Sequence, residues 1–314
     1  MAGVSDITRL DTDVRGKFRT VDALEIDEKL FVISGRALRI VKLLEEDYED
    51  VEDPQSTIAI LSALRSKPDI FTFWQRLPDT EPRYPYYMER DYIAAIPVTS
   101  YTYWREKQIS PKARNKLRKG EKAGVTVKEA AFDDAFVSGM VDIFNETPIR
   151  QDRPFWHFGK NFDTVKREFS RFLFREELLG AYVNDELIGF VMLAHAGRYA
   201  YLGQILSKIR HRDKAPNNLL IAKSVEICAK KNIPYLAYAK WPEGSLADFK
   251  EQSGFKKYGL PRYFVPLTTV GSVALKCNLH HGVTGLLPSS TIGCLREVRN
   301  RWYRRKAAKL RSGT

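Results

Sequence analysis

The 314-residue chain predicts a mixed α/β fold, of the α+β kind, built on a mixed sheet. The order of elements between Leu187 and Pro266 carries that prediction: a strand pair, a basic loop, a helix, a strand, a short helix and a last strand. The turn Asn184-Asp185 joins Glu177–Val183 to Glu186–Ala194 as a hairpin, since both residue types tolerate the left-handed backbone such turns need. The loop Lys208–Lys214 is basic and feeds a helix N-terminus, where free amides and the helix dipole favour an anion.

Upstream, Leu38–Leu44 reads as a strand, Gln55–Arg65 as a helix started by Asp53-Pro54, Asp69–Trp74 as a short strand and Arg90–Val98 as another. Residues 1 to about 35 read as a loosely structured lead-in with one short strand, Leu30–Ser34. The order strand, loop, helix, strand, strand repeats that of the second half, which predicts an internal duplication. The two loops differ in sign: Glu45–Asp53 contains seven acids where Lys208–Lys214 is basic. An acidic loop repels a pyrophosphate, so the first half is expected to be structural or to hold acceptor. Pro111–Ala123 reads as a basic helix with Ser110 as N-cap and Gly124 past its end. A strand follows at Val125–Glu129, then helices at Asp133–Phe144 and Phe162–Phe174, and a strand at Tyr199–Ser207.

Composition sets the bounds. A 44% hydrophobic, 29% charged chain is that of a globular protein. No run approaches the roughly 18 apolar residues needed to span a bilayer. The acidic N-terminus lacks a signal pattern, so a cytoplasmic location is expected, peripheral to the inner face of the membrane if the tail binds it. Three scattered cysteines (Cys228, Cys277, Cys294) form no CxxC pair and read as reduced thiols. No sequence spacing gathers three or four metal ligands, so no metal is expected. Of the net charge of +12, most belongs to Arg296–Arg311, which holds eight basic residues and one acid. Gly285–Lys309 reads as an amphipathic helix broken near Pro288, with Leu295, Val298, Trp302 and Leu310 along one face. That pattern suits an anionic membrane surface across 285–310.

Two segments carry a family resemblance. Ser245-Leu-Ala-Asp-Phe-Lys-Glu-Gln-Ser-Gly-Phe255 followed by Pro261-Arg-Tyr-Phe-Val-Pro266 resembles the C-terminal part of GNAT-type acyl-CoA N-acyltransferases, in particular the Fem-type (peptidoglycan-bridge transferase-like) branch. Ser110–Arg114 through Lys119–Val125 resembles the basic helix that opens the second half of Fem-type proteins. The resemblance spans roughly residues 37–267. It implies a GNAT-like fold of two tandem halves with the first degenerate: residues 1–104, an acyltransferase domain at 105–268, and a basic helical tail at 269–314. One departure stands out. Lys208–Asn218 has no glycine where GNAT enzymes carry a glycine-rich pyrophosphate loop.

The resemblance implies acyl transfer to an amine, with acetyl-CoA or another acyl-CoA as co-substrate. Gln204, Ile205, Leu206 and Ser207 would lie beside the thioester, and Arg210, Arg212, Lys214, Asn217 and Asn218 would meet the phosphates. Such a reaction needs a base. The loop Asn145–His157 packs Glu, Asp, Arg, Trp and His between two helices. Glu146 and His157 are its base candidates, Arg150 and Arg153 a clamp for an acidic acceptor, and Trp156 a stacking surface. Tyr238 and Tyr263 are candidate proton donors to the leaving group, and Lys240-Trp241 would touch acceptor. Two alternatives remain open at this point. Fem-type members that build peptidoglycan bridges use aminoacyl-tRNA, for which the basic helix 112–122 and the tail are suited. A catalytically silent binding or scaffold protein would explain the missing glycines. The acceptor, whether a small molecule, a sugar or a cell-envelope amine, and the oligomeric state are not legible.

Overall fold

The computed structural model describes residues 7–13, 18–151, 153–170, 173, 176–242, 244–286, 297–299, 301–303 and 305. The first half runs β1 (Thr8–Asp13), β2 (Phe18–Ile26), β3 (Lys29–Ser34), β4 (Ile40–Leu43), α1 (Pro54–Ala63), β5 (Ile70–Trp74) and β6 (Tyr87–Pro97). A short helix α2 (Tyr101–Tyr103), a π turn at Trp104–Gln108 and α3 (Pro111–Lys122) lead into the second half. That half runs β7 (Thr126–Ala130), α4 (Asp134–Asn145), a ribbon of β8 (Ile149–Arg150) and β9 (Arg153–Pro154), α5 (Phe162–Ser170), β10 (Glu176–Val183), β11 (Glu186–Ala196) and β12 (Tyr199–Ser207). A 3-10 turn at Ile209–Lys214 then leads to α6 (Pro216–Lys230), β13 (Tyr235–Lys240), α7 (Ser245–Gln252) and β14 (Lys256–Pro266). The C-terminal segment adds α8 (Thr269–Lys276) and a 3-10 stretch, Leu279–Leu286.

Twelve strands form one mixed sheet, in the order β1-β2-β3-β4-β5-β14-β6-β13-β12-β11-β10-β7. From either edge the pattern is the same. An edge strand and a three-stranded antiparallel meander come first, then a strand parallel to the last of these, reached through a helix, then the final strand of the other half. The last strands are exchanged: β14 pairs with β5, β6 pairs with β13, and β6 and β14 pair antiparallel at the centre. This is the pattern of an approximate twofold axis normal to the sheet, passing between β6 and β14. The duplicated unit begins at β1. The expected lead-in over residues 1–35 is therefore corrected: it contains three strands. Their alternation is masked by polar residues, as in Thr8–Asp13, a polar edge strand.

Local chemistry accounts for the element ends. Asp53 accepts the N–H groups of Gln55 and Ser56, with Pro54 at the first helical position. Ser110 and Asp133 cap α3 and α4 in the same way. Asn184 and Asp185 both have positive φ in the β10–β11 turn. Leu117 and Ala113 of α3 pack with α6 on one face of the sheet. On the other face α4 and α5 cover Leu178, Phe190 and Met192. Gly120 brings α3 against the 3-10 turn: a Cβ there would lie 2.6 Å from the carbonyl oxygen of Lys214. Among the described residues no helix is long and apolar enough to cross a membrane. The amphipathic helix expected over 285–309 lies mostly outside the described residues.

Candidate functional site

The two parallel strand pairs are brief. β12 and β13 pair only at Ala200–Leu236 and Tyr201–Ala237, then part. Just beyond, the register between β11 and β12 slips so that Gly203 is an extra residue, a bulge that re-aims the strand next to the opening. Gln204–Ser207 therefore line a V between two parallel strands. The first half repeats this: β4 and β5 pair only at Ile40–Ile70 and Val41–Phe71.

The basic loop at the mouth of the second V is already occupied. The Glu146 carboxylate accepts the backbone N–H of Ile209 at 2.5 Å and of Arg210 at 2.9 Å. Arg150 reaches the same carboxylate at 3.4 Å and also donates to the carbonyls of Ile143 and Ser207. The loop's cations converge on Glu186, which pairs with Lys208, Arg210 and His211. Hydrogen bonding from Lys208, ahead of that from Arg210, holds the Glu186 carboxyl down at about 2. Lys214 is hydrogen-bonded to His211. Arg212 is exposed and makes no ion pair among the described residues. Asn217 and Asn218 open α6, where Asn218 is buried and the Asn217 side-chain oxygen is buried without a partner. In contrast, the outer face of α3 carries exposed Lys112, Arg118, Lys119 and Lys122, none of which makes an ion pair among the described residues.

The other expected site residues separate. His157 is 0% exposed and stacks on Phe144 with ring centroids 4.2 Å apart. Burial, reinforced by Lys160 and Arg150, pushes its pKa down to about 3. One ring nitrogen meets Gln204 at 3.3 Å. His157 is thus a neutral, buried residue packed among aromatic rings. Trp156 is exposed, with Lys160 over its ring, and Arg153 sits in the β8–β9 ribbon. Tyr263 is removed from the second V altogether. It is fully buried in the first half, where its hydroxyl donates to Gln75 and accepts the N–H of Arg83. Tyr238 packs on Phe255, with Lys250 over its ring, and burial raises its phenol. The backbone N–H of Trp241 donates to the carbonyl of Tyr92. Ile205, Leu206 and Ser207 pair with Val191, Phe190 and Gly189.

Lys240 leads to a second place. A cavity of about 190 Å³ lies where the halves meet, lined by Glu46, Asp47, Trp74, Arg76, Tyr199, Tyr201, Lys240 and Arg262 among others. Trp74 stands between two guanidinium groups, Arg76 at 5.1 Å and Arg262 at 4.2 Å from its ring centre. Arg262 bridges Asp91 at 2.6 Å and Glu46 at 3.0 Å. Burial resists ionisation of Asp91, yet Arg262, Lys240 and Trp74 hold its pKa below the usual range. Asp47 differs: burial raises its pKa, and its carboxylate makes no hydrogen bond or ion pair among the described residues. The acidic loop of the first half thus supplies a wall of this cavity.

Sequence reasoning passed over Asp47 and Asp91 as individuals, and over Lys250. Lys250 is 1% exposed and donates to the carbonyls of Tyr238 and Lys240 at 2.5 and 3.2 Å. Burial lowers its pKa to about 8. The signal for Lys250 was its place in the Ser245–Phe255 motif. Asp91 gave none, since its partner Arg262 is 171 residues away. The expectation that no metal ligands converge is also revised, because the fold brings Glu89 to His280 and His281.

Comparison with solved structures agrees with the architecture. The chain resembles FemX at 11% identity over 83% of this chain and 88% of that one, with a TM-score of 0.51. It resembles the C-terminal domain of a putative lysylphosphatidylglycerol synthetase from Agrobacterium fabrum at 11% identity, covering 79% and 84%, with a TM-score of 0.50. The L-PGS of Bacillus licheniformis gives 12% identity, 81% and 85% coverage, and a TM-score of 0.50. The fold is therefore the Fem-like, GNAT-type mixed α/β fold. No family model matches the sequence, and no curated protein matches it.

Proposed function

We propose that this chain is a transferase that moves an aminoacyl group from a tRNA onto an amine held in the cavity between the two halves. Glu146 carries the choice of donor. Its carboxylate takes the amides of Ile209 and Arg210, the pair that a CoA pyrophosphate would need. Glu186 pairs with two of the loop's cations, Lys208 and Arg210, and meets the His211 ring. The positive charge left unpaired is spread along α3, at Lys112, Arg118, Lys119 and Lys122, with Arg212 in the adjoining loop. Cations spaced along a helix suit a phosphate backbone better than a compact diphosphate. The lysylphosphatidylglycerol synthetases among the similar structures are named for a lipid that carries an amino acid, which agrees with aminoacyl transfer.

In this reading the acceptor nitrogen attacks the ester carbonyl. A C–N bond forms, the ester C–O bond to the ribose breaks, and the ribose oxygen takes a proton. Asp47 is the base that receives the amine proton, since a carboxylate with a raised pKa and no hydrogen bond or ion pair among the described residues is suited to that task. Trp74, Tyr199 and Tyr201 shape the apolar walls, and Lys240, Arg76 and Arg262 favour an acceptor bearing negative charge elsewhere, such as a sugar nucleotide, peptide or lipid headgroup.

Acyl-CoA is the second reading, favoured by the brief pairing of β12 and β13, which leaves the backbone of Gln204–Ser207 unpaired on the β13 side. It requires Glu146 to leave the loop amides. Fluorescence anisotropy with labelled tRNA and calorimetry with acetyl-CoA decide between them, using the wild type and a Lys112→Glu/Arg118→Glu/Lys119→Glu variant. The expected result is salt-dependent tRNA binding that the variant loses, with no heat from acetyl-CoA. Saturable acetyl-CoA binding, with tRNA binding indifferent to the variant, overturns the proposal.

A further inference from the structure

We propose that Glu89, His280 and His281 form a Zn2+ site that fastens the C-terminal segment to the centre of the sheet. Three observations carry it, and all are independent of the transfer reaction. First, the ligand atoms converge. The Nε2 atoms of His280 and His281 lie 2.8 and 2.9 Å from the same oxygen of Glu89, and the three candidate donor atoms fall within 4.8 Å of one another. Without a cation, that one oxygen must also accept the Tyr87 hydroxyl at 3.2 Å, so three donors crowd a single acceptor. A cation among the three ligand atoms removes that crowding by using both imidazole lone pairs.

Second, the geometry is close to that of zinc. Two imidazole nitrogens and a carboxylate oxygen are a known zinc ligand set, with bonds of about 2.0–2.2 Å and a fourth position left for water. Tetrahedral ligands bonded at that length sit about 3.4 Å apart, so the histidines need to back away from Glu89 by roughly 0.5 Å.

Third, the site is built in. The His280 side chain is fully buried, and its ring is flanked by Phe264 at 4.7 Å and Tyr87 at 5.7 Å between centroids. Left-handed backbone at Asn278 and Gly282 bends the chain on either side of the histidine pair. Nδ1 of His280 is buried with no partner among the described residues, so nothing in the protein fixes the required tautomer. The site is thus weaker than a closed structural centre, with affinity in the micromolar range. Glu89 and Asp91 are two residues apart on β6, on the same face and about 7 Å from one another. A bound ion would therefore tie the segment after β14 to the strand that also supplies Asp91 beside the cavity.

The test is zinc titration of the EDTA-stripped full chain by calorimetry, with metal content after dialysis as a second readout. One ion per chain is expected. His281→Ala weakens binding by at least about tenfold, and because that ring is exposed the variant melts like the stripped wild type. Cys277→Ser binds unchanged. Absence of binding at micromolar zinc, retention by His281→Ala, or loss in Cys277→Ser overturns the proposal.

Discussion

Replacing Glu146 by alanine distinguishes a carboxylate that holds a loop from one that moves a proton. In the structure this side chain accepts two backbone N–H groups and meets one guanidinium. Hydrogen bonds to a charged group contribute roughly 1.5–3 kcal/mol each, and partial exposure of the loop puts these at the lower end. Arg150 keeps its two carbonyl partners, so it is not stranded. The expected loss is therefore about 2–4 kcal/mol, a fall in Tm of about 3–6 °C for a chain of this size. The same change frees two amides at a helix approach. Pyrophosphate should then raise the Tm of Glu146→Ala and leave the wild type where it is. Scanning calorimetry with and without pyrophosphate reads both effects. A variant that melts with the wild type, or pyrophosphate that stabilises both proteins alike, refutes the argument. Loss of turnover at unchanged Tm would return Glu146 to the role of base.

Two further perturbations test other sites. Buried His157 stays neutral down to about pH 3 in the fold, against 6.5 for a free side chain. Its contribution is complete above pH 6.5 and is lost as the pH falls from there toward 3, at up to about 1.4 kcal/mol per pH unit. Urea midpoints between neutral and mildly acidic pH should fall less steeply for His157→Phe than for the wild type, and equal slopes would reject the assignment. For Asp47, turnover by the wild type should rise with pH through a midpoint above the ordinary aspartate value, because burial raises its pKa and the base acts as the anion. Asp47→Asn should lower kcat by about 10²–10⁴-fold without lowering Tm, and a kcat like that of the wild type would remove Asp47 from the chemistry.

The second half was legible because its signals are local. Asn184-Asp185 sets a hairpin register, Ser110 and Asp133 start helices, and Gly124 at positive φ ends one. The sign of the loop Glu45–Asp53 was legible too, and it lines the cavity. Strand β1 was missed because an exposed edge takes polar residues, which erase the alternation that marks a strand; β2 is an inner strand, and its Phe18–Ile26 run carries no clean alternation either. The surroundings of the candidate site residues were not legible for a different reason. His157 looked reactive in a loop rich in charge and aromatics, but only the packing of Phe144 against its ring reveals that it is interior. Glu146 and Ile209 are 63 positions apart, and His281 and Glu89 are 192 apart. The first pairing follows from how the second half packs α4 against the loop after β12, the other from β14 lying beside β6, and the local sequence marks neither.

That exchange also decides what the cavity is. Arg262 belongs to the last strand of the second half, yet it pairs in register with Trp74 of the first. Asp91 belongs to the last strand of the first half, yet it holds Lys240 and Arg262 of the second. Each wall therefore mixes the two repeats. The fold has two similar V-shaped openings, and their fillings differ. In the first half Glu46 is held by Arg262 across the boundary and by Lys42. In the second, Glu146 is held by Arg150 and by loop amides from its own half. A degenerate repeat with no further role would be free to close its opening with apolar side chains at no electrostatic cost. Here the first repeat instead keeps a partly buried carboxylate, Asp47, which makes no hydrogen bond or ion pair among the described residues although Arg76 acts on it electrostatically, on the wall of the cavity. Burial raises the pKa of that carboxylate, so the position disfavours its charged form. On that ground we propose that the first repeat is the acceptor side of the site, with both halves contributing to it.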